Sequence, residues 1–174
     1  MREAIGGSWI LSIVVIFIFL FLFFLSYSIN YTRAFNVKNE IINYIEHAEG
    51  YTTADINQVN LDDDDIKDTV QVKAYKLIRG TGYDYENVSI SNCQKYYRNN
   101  NQVPPSNGQY FKEEGGYCVV KVCQDPDNSY QNTYYKVTTF ITMKLPLFNL
   151  GINIPVSGQT RTIYKDTSNY PCDY

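Results

Sequence analysis

Trp9–Leu25 reads WILSIVVIFIFLFLFFL, seventeen residues with no charge, no glycine and no proline, in which Ser12 is the only polar member. Extended through Ser26, Tyr27, Ser28 and Ile29, it covers about 30 Å at ~1.5 Å per helical residue, the thickness of a bilayer's hydrocarbon layer. Trp9 at one end and Tyr27 and Tyr31 at the other stand where interfacial aromatic anchors stand. The expected membrane-anchor set is therefore Trp9, Ile10, Leu11, Phe17, Phe19, Phe21, Phe23, Phe24, Leu25 and Tyr27, within a transmembrane segment over residues 1–29. A cleaved secretory signal is the competing reading. Ser26-Tyr27-Ser28 passes as a small-x-small cleavage site, with Arg2 as a short basic flank. The apolar run, however, exceeds the usual apolar region of about 7–15 residues. An uncleaved anchor is the expectation.

Working outward, nothing interrupts helix formation between Ser8 and Glu49. After the anchor, Ala34, Val37, Ile41, Ile45 and Ala48 recur at steps of three and four, the apolar stripe of an amphipathic helix. These five are the expected stalk-packing residues. Gly50 is the expected stop, and His47 in the last turn complements the helix dipole. The spacing predicts one helix about 63 Å long at ~1.5 Å per residue. Its first half is apolar all round, its second half on one side.

Charge near the run does not set its orientation. Arg2 and the α-amine lie on one side, Arg33 and Lys38 on the other. The cysteines say more. All four, Cys93, Cys118, Cys123 and Cys172, lie far beyond the anchor. An even, dispersed count behind an export signal predicts two disulfides in an oxidising compartment. A zinc site fits poorly, because there is no CxxC and only one histidine. Cys118 and Cys123 sit an odd number of positions apart on a predicted strand, so they face opposite sides. The preferred pairing is Cys93 with Cys118 and Cys123 with Cys172. The expected location is the cell membrane, single-pass, with the C-terminal domain outside the cytoplasm.

Residues 30–174 suit one domain with one core. The net charge of −3 argues against a nucleic-acid surface. The seventeen tyrosines and abundant asparagines fit coding bias as well as a contact surface. Asp62-Asp63-Asp64-Asp65 lacks the glycine and distal glutamate of a calcium loop. It reads better as the capped start of a helix over 63–79, with Ile66, Val70, Ala74 and Leu77 on one face and Gly80 ending it. Beyond Gly80 the pattern turns to strands. They are expected at Tyr83–Ser91, Tyr117–Val122, Tyr134–Leu145 (stopped by Pro146) and Ile152–Tyr164, with a polar loop over 98–109 and a turn at Asp125–Asn128. Short polar connections imply antiparallel pairing. The expected fold class is α+β: a long N-terminal transmembrane-plus-stalk helix packed on an antiparallel sheet, with a second short helix.

No catalytic constellation stands out. The one histidine, His47, falls in a helix tail, which argues against a triad, and no GxSxG, P-loop, GxGxxG or HExxH occurs. Glu113-Glu114, beside Gly115-Gly116, reads as a solvated turn, and no enzyme activity or cofactor is expected. The layout resembles type IV pilins and pseudopilins, more narrowly the TadE/TadG-like minor pilins. Two stretches carry the likeness. Arg2-Glu3-Ala4-Ile5-Gly6-Gly7-Ser8 runs straight into the hydrophobic segment, and a late strand is followed by Leu145-Pro146-Leu147-Phe148 and a closing strand. The resemblance implies a structural role in a bacterial surface pilus or secretion apparatus. The implied partners are the lipid bilayer and other pilin-like subunits or assembly proteins. One departure is plain: the acid that type IV pilins carry in the hydrophobic segment has no counterpart between Ser8 and Glu40. An extracytoplasmic binding or sensor domain on a single anchor is the alternative.

Overall fold

The computed structural model describes residues 2–52, 69–83, 108–112, 116–124, 132–145 and 150–164. The chain forms an α+β fold: a long N-terminal helix, a second short helix and an antiparallel sheet. Helix α1 is unbroken over Arg2–His47, 46 residues, and about 69 Å long at ~1.5 Å per residue. It starts before the expected Ser8 and ends differently from expectation. Glu49, not Gly50, takes the left-handed conformation, at φ 53. Gly50 N–H then donates to the Ile45 carbonyl at 3.1 Å and Glu49 N–H to that of Glu46 at 3.4 Å. This pair of reversed bonds is the Schellman ending, which satisfies two carbonyls that the helix leaves unpaired.

Helix α2 spans Val70–Thr81, not 63–79. Thr69 is extended (ψ 150), so the helix cannot run back through it. Its first-turn N–H groups are all accounted for. Thr52 takes Val70 N–H on its hydroxyl and Gln71 N–H on its carbonyl, while Thr69 takes Val72 and Lys73. The Asp62–Asp65 run expected as the cap lies outside the described residues. Gly82, in the left-handed region at φ 66, ends the helix two residues after the expected Gly80. Val70, Ala74 and Ile78 form its buried stripe.

The sheet has strands β1 (Gly108–Lys112), β2 (Tyr117–Gln124), β3 (Asn132–Leu145) and β4 (Leu150–Gln159), in the order β1-β2-β3-β4 and antiparallel throughout. β1 falls partly in the stretch expected to be a polar loop. The expected strand at Tyr83–Ser91 is not met at Tyr83, which lies outside any strand, and 84–91 is not described. The turn at Asp125–Asn128 lies outside the described residues. β4 tolerates Pro155 because it is an edge strand, where a missing N–H breaks no ladder bond. Beyond β4 the chain folds back so that Ile163 pairs with Thr133 at the start of β3.

α1 and α2 lie on one face of the sheet. There Ala34, Val37, Ile41 and Ile45 meet Tyr117, Val119, Tyr135, Val137 and Ile141, all essentially inaccessible. Cys118, Val120, Val122 and Phe140 form a smaller cluster on the other face, as the alternation of strand side chains requires. Gly158 lets α1 approach β4 closely. A Cβ there would stand 2.9 Å from Ile42 Cδ1 and 3.1 Å from Lys38 Cδ and Cε.

Candidate functional site

The distinctive feature of the molecule is the first half of α1. Every apolar side chain from Trp9 to Leu25 is exposed, Trp9 at 72% and Leu25 still at 41%. No residue of its most apolar window is buried, and the helix is long and apolar enough to cross a membrane. The expected anchor residues Ile10, Leu11, Phe17, Phe19, Phe21, Phe23 and Phe24 all lie bare on this rod. Tyr27 is the exception. It is half-buried and packs against the main core, so the domain begins there.

The second half of α1 is built into the domain. Of the expected stalk residues, Ala34, Val37, Ile41 and Ile45 are fully buried and Ala48 packs partly against the same core. Three polar contacts tie the junction. Thr139 Oγ1 donates to the Ala34 carbonyl at 2.9 Å, Arg33 donates to the Gly82 carbonyl at 3.2 Å, and Thr32 Oγ1 donates one turn back to Ser28 at 2.9 Å. At the far end Glu46 accepts from Arg161 N–H at 2.8 Å and pairs with its guanidinium at 3.4 Å.

An aromatic ladder climbs α1 across the junction. Ring centroids are 6.2 Å apart for Tyr27 and Tyr31 and 6.0 Å for Tyr31 and Phe35, the latter pair stacked. Lys38 Nζ sits 4.2 Å from the Phe35 centroid, a cation–π contact. Burial of the Lys38 stem pushes its ammonium below the usual lysine range. Phe35 was not among the expected anchor residues. The signal that finds it is the i, i+4 spacing of Tyr27, Tyr31 and Phe35.

Cys118 and Cys123 are both disulfide-bonded. They are not bonded to each other. Five residues of extended strand separate them by about 17 Å, and a disulfide needs Cα atoms within about 7 Å. Cys93 and Cys172 lie outside the described residues, so the pairing between the two sets is not assigned. Among the described residues no cluster of His, Cys, Asp and Glu could hold a metal ion. The chain matches no protein-family model, no curated protein and no solved structure.

Proposed function

We propose that this chain is a membrane-anchored, pilin-like structural protein, a minor component or assembly factor of a bacterial surface pilus or secretion apparatus. The observation that carries the reading is the division of one unbroken helix. Its N-terminal half is apolar and bare on every side, while its C-terminal half is part of a packed α+β domain. Exposing a large apolar side chain to water costs about 1.5–3 kcal/mol. Sixteen such residues between Trp9 and Leu25 are exposed, at a cost on the order of tens of kcal/mol. That exceeds the roughly 5–15 kcal/mol by which domains are stable. The bare half therefore belongs in an apolar surrounding, first lipid, and then the helices of neighbouring subunits when the assembly forms. The disulfides at Cys118 and Cys123 support an exported domain.

The test is photocrosslinking in cells from positions 17 and 21 of the rod, together with fractionation of sheared surface fibres. The reading expects crosslinks to other single-helix subunits or assembly proteins, and recovery of some protein with the fibres. Crosslinks to lipid alone, with all protein in bulk membrane, would replace it with a single-pass anchored domain acting alone.

A further inference from the structure

α2 runs back along α1 toward the apolar rod, and contacts at both of its ends fix this. At its start, Thr52, just past the end of α1, takes the Val70 and Gln71 N–H groups. At its end, Arg33 Nη1 donates to the Gly82 carbonyl at 3.2 Å and stands 3.7 Å from where a Gly82 Cβ would be. The last turn of α2 therefore lies at the level of the Arg33 guanidinium. Arg33 is four residues beyond Ile29, the end of the apolar span, or about 6 Å at ~1.5 Å each. A hydrocarbon core of about 30 Å within a bilayer of about 40–45 Å leaves a headgroup layer of about 5–8 Å on each side. The Arg33 level falls within that layer.

The surface there is cationic. Lys76 and Arg79 are exposed on α2, one turn apart, and Gly82, with Arg33 bonded to it, lies one turn further. Steps of three bring residues to neighbouring positions on one side of a helix. Lys76, Arg79 and Arg33 thus form a row that descends α2 toward the rod. No acid occurs in Val70–Thr81, nor in α1 between Ser8 and Glu40, although the whole chain has a net charge of −3. Among the described residues no carboxylate pairs with any of the three. Arg79 is held over Tyr75, its guanidinium carbon 4.4 Å from the ring centroid and its Nη2 2.7 Å from the hydroxyl. Both arginines are therefore fixed from the protein side while most of their five N–H groups remain for a ligand.

We propose that Arg33, Arg79 and Lys76 seat the phosphate of an anionic phospholipid beside the anchor. This rests on the membrane-anchor reading above. The occupant is a lipid because the row is continuous with the apolar rod and begins at headgroup depth, where phosphate is the acceptor at hand. A guanidinium fork takes two phosphate oxygens at once. Arg33 belongs to α1 and Arg79 to α2, so one headgroup between them ties the two helices together at the bilayer surface. That contact fixes how the domain stands on its anchor.

The experiment uses the full chain in vesicles of equal parts phosphatidylglycerol and phosphatidylcholine. Both lipids carry the phosphate, but in the second a choline cation opposes it. A benzophenone amino acid is placed at position 80, where a side chain meets nothing within 4 Å, and separately at position 24, exposed on the rod. After illumination, mass spectrometry counts the adducts of each lipid. Position 80 is expected to favour phosphatidylglycerol by about fivefold for each cation within reach of the phosphates. Position 24 should take both lipids alike. Lys76→Gln with Arg79→Gln should bring position 80 to the ratio found at position 24. Equal adducts at position 80 in the parent chain, or a preference that survives the two glutamines, overturns the seat. No lipid adduct at position 80, with position 24 still labelled, overturns it too and leaves the row to an acidic protein face. No lipid adduct at position 24 overturns the anchor itself. Should the probe at position 80 disturb α2, native mass spectrometry of the unsubstituted chain reads the same preference. It should retain phosphatidylglycerol that the Lys76→Gln, Arg79→Gln chain loses, and equal retention by the two overturns the seat.

Discussion

Removing one oxygen atom, by Tyr83→Phe, should cost this domain a large part of its stability. Tyr117 pairs with Thr139 in the β2–β3 ladder, so the next pair in register is Gly116 with Phe140. At that point Gly116 turns into the left-handed region, at φ 76, and the two backbones do not bond directly. The Tyr83 hydroxyl stands between them. It donates to the Gly116 carbonyl at 2.8 Å and accepts from Phe140 N–H at 2.8 Å. Phenylalanine would leave a buried donor and a buried acceptor facing each other without a bridge. Each such orphan costs about 1–3 kcal/mol, so the two together cost roughly 2–6 kcal/mol, against a total of about 5–15 kcal/mol. Urea unfolding of the full chain in detergent micelles, followed by near-ultraviolet circular dichroism, measures it. Tyr75→Phe is the control. Its hydroxyl accepts from Arg79 at 2.7 Å on the outside of α2, where loss should stay within about 0.5 kcal/mol. A Tyr83→Phe loss no larger than that of Tyr75→Phe would show that the bridge does not hold the two strands together.

The remaining expectations test the packing of α1. Glu49→Gly relieves a Cβ at φ 53 and should raise the urea midpoint by an amount worth about 1 kcal/mol. Gly158→Ala puts a methyl within 2.9 Å of Ile42 and 3.1 Å of the Lys38 stem, and should cost about 1–3 kcal/mol in the same assay. Lys38 is a base whose folded-state pKa is lowered by burial. Between that lowered value and the unfolded value near 10.5, the unfolded chain binds the proton that the folded chain has lost. Lys38 therefore makes stability rise with pH across that alkaline window and contributes no slope below it. Comparing the pH dependence of unfolding in wild type and Lys38→Met should show that slope disappear.

What could be read from the residues was what depends on near neighbours. The apolar run and the stripe from Ala34 to Ala48 are set by spacings of three and four, so one continuous helix, bare then one-sided, followed from periodicity alone. β2, β3 and β4 were legible because alternation and β-branched residues are local signals. The ends were harder. A run of aspartates and a threonine are both good caps, and the described start of α2 rests on Thr69 and on Thr52, which arrives from the end of α1. Likewise Gly50 is the obvious stop by residue type, yet the carbonyls of Ile45 and Glu46 are met by putting Glu49 in the strained position.

Hydrophobic spacing and chain composition are enough to place a charge-free helix of membrane-spanning length ahead of an amphipathic stalk and a disulfide-bearing α+β domain. Long-range contacts were needed to make β1 a strand, since a short polar stretch becomes one by pairing with β2. Such contacts also set Gly158 as the place where the helix nears the sheet and Tyr83 as the group that completes the ladder at Gly116. These facts join residues far apart in the chain, and no local pattern encodes which distant backbone group a buried hydroxyl will meet.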